Sequence, residues 1–318
     1  MSILKRLSSS LIVLRPSANN TYEILLIQRS RKMKFAGQNW VFPGGVYDVS
    51  DGNGETDGFQ FANNFDVIRD IALRECFEET GIVPIKNNAA PSSSNMTAST
   101  WQEWRERIHN DASLWKTFVS EQLNADSIHK CPSLCCFLTP KFEAERSKRQ
   151  YLTHFLITSI PSQKETTSQH EAHWYQDNID NSENVRSVWM TPQEALKQYN
   201  KGDMPMFPPQ FYILQRLCAF KSVKEAIDSA QWFSRDASNI DSSLAIVMQP
   251  ETNSNVPESL VLPYDEYHQT YPGTKGAIHR MDVFTKNKMQ VHMNAIAAEK
   301  VVGKKNDAWR WNKTSSKL

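Results

Sequence analysis

Three observations predict an α+β fold, a mixed β-sheet packed between helices. Strand-length apolar runs bounded by turn formers come in pairs near the start, helix-spaced segments follow them, and further short strands return toward the end. The 318 residues are 40% hydrophobic and 10% aromatic, enough to bury one large core or two smaller ones. Lys and Arg number 36 against 35 Asp and Glu, so no global field draws the chain to nucleic acid or to an anionic membrane. Phosphate recognition, if present, must be local. No apolar run approaches the roughly 18 residues of a membrane-spanning helix. The five cysteines, Cys76, Cys131, Cys135, Cys136 and Cys218, include no C-x-x-C pair and predict buried, reduced thiols.

The first element is "SSLIVLRP", rich in aliphatic and β-branched residues and followed, after the turn "PSANN", by the strand-like "TYEILLIQRS". Lys5, Arg6 and Arg15 without an acidic neighbour leave a mitochondrial leader as the alternative to a strand. "VFPGGVYD" reads as a short strand ending in a tight turn, and a helix is expected from about Asp66, with that residue as its N-cap. "WQEWRERIHNDASLWKTFVSEQLN" predicts one or two helices inserted into the sheet, their Trp and Phe stripe facing a core. Strands are expected at "SLCCFLTP", "YLTHFLITSI" and "NVRSVWM", and helices at "TPQEALKQYN" and "PPQFYILQRLCAF". Beyond residue 236, "LAIVMQP", "SLVLP" and a hairpin turning at "KNK" either extend the first sheet or form a small subdomain. The chain closes on Ser316-Lys317-Leu318, which reads as a peroxisomal import address.

The chemistry concentrates in "RDIALRECFEETGI", Arg69 to Ile82. At about 100° per residue, Glu78 and Glu79 fall about 60° and about 40° to either side of Glu75, so three carboxylates share one helical face. Their mutual repulsion is relieved by a divalent cation, and hard oxygen donors of this kind suit Mg²⁺ or Mn²⁺. Arg74, four residues before Glu78, can hold that carboxylate, and Gly81 can close the helix in the left-handed conformation with Ile82 folding back. Upstream, "FPGG" supplies a tight backbone turn whose carbonyl can reach the same metal.

"FPGG" followed by "RECFEETGI" resembles the Nudix box, G-x5-E-x7-R-E-U-x-E-E-x-G-U with U a bulky apolar residue, and Cys76 takes the first U. The resemblance implies a Nudix fold in which metal-bound water cleaves a nucleoside diphosphate. It implies Glu75, Glu78 and Glu79 as metal ligands with the Gly45 carbonyl, and Glu75, Arg74 and Glu78 as the catalytic set. The first half of the box departs from the pattern: 28 residues separate Gly45 from Arg74 where 13 are expected, an insertion of 15. With the gap after the sixth step Asp51 replaces the first glutamate, and Asp48 is the other candidate.

The split box, "WQEWRERI", "FLTP", "PPQFYILQRL" and the terminal tripeptide together resemble the Nudix motif 19 branch, the peroxisomal coenzyme A diphosphatases. "LLIQRSRKMKFAGQNWVFPGG" resembles the coenzyme A signature L-L-T-x-R-S-x3-R-x3-G-x3-F-P-G-G, with Lys34 in place of the second arginine. That implies Arg29, Ser30, Lys34 and Gly44 at the substrate, with Arg29, Arg31 and Lys34 as a basic group suited to a 3′-phosphate. Trp40 reads as a sheet-packing tryptophan rather than an adenine platform. A base outside the box is expected among Glu143, Glu145 and Glu183. The expected organisation is a Nudix domain over 1–235, interrupted at about 52–65 and by a helical insert at about 99–125, then a β-rich extension over 236–315 and the tripeptide 316–318. The expected partners are a coenzyme A-type substrate and the peroxisomal import receptor. NADH or ADP-ribose cleavage is the rival activity, and a catalytically silent nucleotide-binding module the rival class.

Overall fold

The computed structural model describes residues 3–17, 21–31, 38–52, 58–86, 96–123, 125–162, 184–230, 245, 247–283 and 289–293. Its centre is strand β1 (Leu4–Pro16), where Ile12 and Leu14 enter one hydrophobic core while Leu7, Leu11 and Val13 enter another. Successive side chains in a strand point to opposite faces, so a nearly continuous apolar run identifies a strand covered on both sides. β2 (Tyr22–Arg29) divides in the same way, Ile24 and Leu26 against Leu25.

The mixed sheet runs β3-β2-β1-β6-β5-β8, with β3 Trp40–Val41, β5 Ser133–Leu138, β6 Arg149–Ser159 and β8 Val247–Met248. β4 (Gly44–Val46) pairs with β1 and β7 (Asn184–Met190) with β2. The longest pairing is parallel, from Leu4 opposite Arg149 to Leu14 opposite Ser159. β1 and β2 pair only from Leu14–Ile24 to Pro16–Tyr22 and then part. The segment Trp40–Val46 fills the gap: β3 bonds to β2 at Ile27 and Gln28, and β4 bonds to β1 at Ser8, Ser9 and Ser10. The Gly-Gly turn is thereby wedged into the middle of the sheet.

Helix α1 (Phe65–Thr80) covers one face. Its N-cap is Asn64, whose side chain accepts from the Val67 N–H; Asp66 lies inside the first turn, where a carboxylate faces the positive helix end. Gly81 closes it as expected, at φ 76°, donating to the Phe77 carbonyl. The two predicted insert helices, α2 (Ala98–Asn110) and α3 (Leu114–Glu121), lie over α1 rather than in the sheet. Phe77 of α1 stacks on Phe118 at 4.9 Å and meets Trp101 edge-on at 5.2 Å, so the aromatic stripe is core. α4 (Lys141–Ser147) links β5 to β6.

On the opposite face lie α5 (Pro192–Lys201), α6 (Pro208–Leu217) and α7 (Val223–Asp228). A second, antiparallel sheet joins them, β9 (Glu251–Thr252), β10 (Ser259–Val261), β11 (His279–Asp282) and β12 (Gln290–Met293). The region beyond 236 therefore does both things the sequence allowed. β8 pairs with β5 in the main sheet, and Met281, Val291 and Met293 pack into the same core as Tyr212 of α6. The expected turn at "KNK" lies outside the described residues. No described helix is long and apolar enough to cross a membrane.

Candidate active site

Arg74 organises the site from its buried position on α1. Its Nε and Nη2 form a fork with Asp51, 2.8 Å to Oδ1 and 2.9 Å to Oδ2. Nη1 reaches Glu78 Oε1 at 2.7 Å and Nη2 lies 3.0 Å from Glu75 Oε1. A planar guanidinium can serve three carboxylates at once, as an ammonium cannot. Burial lowers the affinity of this guanidinium for its proton, but Glu75, Asp51 and Glu78 more than offset that, and the net direction is upward. Of the two candidates for the shortened box position, Asp51 meets Arg74, while Asp48 turns to the Ser50 N–H and hydroxyl at 2.9 and 2.7 Å.

The Gly-Gly turn sits directly against the acidic face. A Cβ on Gly45 would lie 2.3 Å from the Glu75 carboxyl carbon, so only glycine leaves room for it. The Gly44 N–H donates to Glu79 Oε2 at 2.7 Å. Glu79 Oε1 accepts from Asn184 Nδ2 of β7 at 2.9 Å. Glu78 Oε2 lies 3.6 Å from Nδ1 of His109, at the end of α2. The insert braces both ends of the box: Arg105 Nε donates to the Glu78 carbonyl at 2.9 Å and Trp101 Nε1 to the Gly81 carbonyl at 2.8 Å. From α3, Lys116 Nζ reaches the Ser50 and Asp51 carbonyls, both at 3.2 Å. Neither Asn184 nor the insert residues belong to the box, and a sequence motif carries no signal for them.

Three carboxylates, those of Asp51, Glu75 and Glu78, therefore surround one guanidinium, with Glu79 held beside them by Gly44 and Asn184. Burial, joined by Glu78 and Glu79, pushes the Glu75 carboxyl up to about 8 against the pull of Arg74, and burial also raises Glu78. The Glu75 and Glu78 side chains are 17% and 12% accessible, half-sunk but open on one side. The missing positive charge, the hard oxygen donors and the room left at Gly45 fit a divalent cation. Among the described residues no three acidic, His or Cys side chains converge as a ready cage. Each glutamate is instead held by protein donors.

The substrate-side expectations divide. Arg29 ends β2, half-buried, and faces Asn184 across the pairing with β7, one strand from the Glu79 contact. Ser30 is buried beside it and Arg31 is exposed, whereas Lys34 lies outside the described residues. Trp40 packs into the core with Phe42 and Tyr212, the sheet-packing role expected for it. Glu143 pairs with Arg146 at 2.9 Å on α4, Glu145 is exposed there, and Glu183 lies outside the described residues.

An α+β sheet split by a Gly-Gly wedge, facing a helix with three clustered glutamates, defines a Nudix-type domain. The model for the NUDT19 Nudix domain matches residues 55–217, half of the chain, and the chain belongs to that family. It is 25% identical over 248 residues to an acyl-coenzyme A diphosphatase NUDT19 of Gallus gallus, covering 64% of this chain and 63% of that one. It is 26% identical over 250 residues to the Xenopus laevis protein of the same name, covering 65% and 63%. The chain thus spans under two thirds of the length of these relatives. A Nudix hydrolase crystal structure from Alicyclobacillus acidocaldarius shares the fold, with a TM-score of 0.52 at 19% identity over 71% of this chain and 96% of that one.

Proposed function

We propose that the chain is a metal-dependent Nudix diphosphohydrolase that splits coenzyme A or acyl-coenzyme A into 3′,5′-ADP and (acyl-)4′-phosphopantetheine. The observation that carries this reading is the shared face of Glu75, Glu78 and Glu79, with Glu75 against Gly45, Glu79 against Gly44 and Glu78 on Arg74. The relatives named above as acyl-coenzyme A diphosphatases support the substrate class. Mg²⁺ or Mn²⁺, held by Glu75, Glu78, Glu79 and the Gly45 carbonyl, would neutralise the diphosphate and lower the pKa of a water nucleophile. Arg74 keeps Glu78 and Glu75 oriented, Asp51 keeps Arg74 in place, and the Gly-Gly turn lets the wedge close against Glu75 and Glu79. Arg29, Ser30, Lys34 and Gly44 form the substrate side of the proposal. Arg29 and Lys34 are assigned the 3′-phosphate, which a bidentate guanidinium suits. The peroxisome is the proposed location and the import receptor the proposed partner, with Ser316-Lys317-Leu318 as the candidate address.

The test uses coenzyme A, its 3′-dephospho form, NADH and ADP-ribose with Mg²⁺, products being identified by mass. Coenzyme A should exceed the dephospho form by roughly tenfold to a hundredfold in kcat/KM, the effect of one charge-assisted contact. Arg29→Ala should erase much of that difference by slowing coenzyme A alone. Equal rates on the two substrates would favour NADH or ADP-ribose as the substrate. Glu79→Gln should lower turnover by orders of magnitude with little change in melting temperature. Activity within a few-fold of wild type would remove Glu79 from the metal site. For import, an N-terminally tagged fusion should leave peroxisomes when the tripeptide is deleted.

A further inference from the structure

Glu79 is gripped from two strands. The Gly44 N–H of the wedge holds Oε2, and Asn184, 105 positions away on β7, holds Oε1. Asn184 reaches that face of the sheet through a β-bulge. Gln28 faces Arg186 but the next residue, Arg29, faces Asn184, so Val185 is an extra residue in β7. Without it the side-chain period of two would turn position 184 to the opposite face, away from α1. The extra residue is accommodated outward, with Val185 44% exposed, while Asn184 is only 1% exposed.

The chemistry at 184 is specific. An amide donates to a carboxylate, whereas an aspartate of the same shape would repel it. The other end of this amide is idle: Asn184 Oδ1 is buried with no hydrogen-bond partner among the described residues. A buried polar atom left unpaired is a net cost to the fold, which the contact at the other end has to offset. The end that is used faces the glutamate.

We propose that Asn184 is a positioning residue of the metal site: with the Gly44 N–H it fixes the rotation of the Glu79 carboxylate, so that its free lone pairs are presented to the cation without reorganisation. Ligand carboxylates are oriented by such outer hydrogen bonds, and their loss weakens metal binding by about 10- to 100-fold. The inference rests on the reading of Glu79 as a metal ligand.

The experiment is a Mn²⁺ binding isotherm on the purified full chain without substrate, free Mn²⁺ being read by electron paramagnetic resonance, alongside metal-free melting curves. Asn184→Ala should bind Mn²⁺ about 10- to 100-fold more weakly than wild type. Asn184→Asp, which sets a second carboxylate against Glu79, should melt lower without metal and recover more than wild type when Mn²⁺ is added. A purely structural asparagine would lower both melting curves and leave the affinity unchanged, which would overturn the proposal. If Glu79→Gln binds Mn²⁺ as wild type does, the metal reading fails. If only Glu79→Gln weakens binding, that reading stands and the role of Asn184 falls. Should the Asn184 variants not fold, the side-chain amide resonance of Asn184 in asparagine-labelled wild type decides. It should shift on Mg²⁺ titration with the binding curve, and a stationary resonance refutes the inference.

Discussion

Gly44 and Gly45 are neighbours of identical chemistry with different obligations. A Cβ on Gly44 would sit 2.5 Å from the Ser10 Cα, at a φ of +154° that side chains rarely adopt, so Gly44→Ala strains the wedge itself. The three atoms nearest a Cβ on Gly45 all belong to the Glu75 carboxyl group, the end of a side chain, so the added methyl would displace Glu75 from Arg74 rather than strain the backbone. Gly44→Ala should therefore lower stability by about 2 kcal/mol or more, while Gly45→Ala should leave the melting temperature within a few degrees and abolish most of the activity. Urea unfolding and turnover, measured on both, test the separation. At this scale the sequence was partly legible. The spacing of Glu75, Glu78 and Glu79 placed them on one face, but the choice between Asp51 and Asp48 needed the Arg74 fork, and Asn184 needed the bulge at Val185. Neither fact is local in the chain.

Among the elements, α1 was the most readable because its pattern, its glycine stop and its acidic face agree with one another. Only its N-cap was misjudged, since Asn64 and Asp66 are both good caps and two residues apart. β3 and β4 were harder. Two- and three-residue strands carry no periodicity, and their place between β1 and β2 is set by where those strands part. The insert α2–α3 read correctly as helices with a core stripe, but its purpose did not, because the braces run from its side chains to backbone carbonyls. Trp101 shows the consequence. Trp101→Phe keeps most of the packing on Phe118 yet removes the donor to the Gly81 carbonyl that ends the helix. It should destabilise the protein by about 1–3 kcal/mol and depress turnover more than a comparable core change far from α1. An equal loss of activity from a distant variant of matched stability would deny the brace.

At the scale of the whole molecule, β8 pairs with β5 and the second sheet shares a core with α6, and one buried contact joins that sheet to the helix. His279 of β11 is fully buried; its Nδ1 lies 2.7 Å from the Pro263 carbonyl and its Nε2 3.1 Å from the Tyr212 hydroxyl of α6, with Asp265, His268 and Arg280 close by. Burial lowers its pKa to about 4, overriding the Pro263 carbonyl and Asp265, which pull it up. Between about pH 6.5 and about pH 4 the unfolded chain therefore binds a proton that the folded chain refuses, and stability falls as pH falls through that window, by at most about 1.4 kcal/mol per pH unit. Urea unfolding at pH 7 and pH 5 should show the loss, and His279→Gln should flatten it; an unchanged slope in the variant would assign the loss to other groups. The extension's role could not be read from its sequence because short strands of mixed polarity resemble a separate module until their partners are known. The parallel pairing of β1 with β6 has a consequence for biosynthesis. Ser9 at the centre of the sheet meets its partner carbonyl 145 positions later, and at about 5–20 residues per second a ribosome takes roughly 7–30 s to deliver it. Until then β1, an inner strand of the main sheet, has an open edge, and β8 arrives later still. Such a chain completes its sheet only after β6 and β8 have been made, slowly for its size, and nascent chains released before residue 159 should depend on chaperones to stay dispersed.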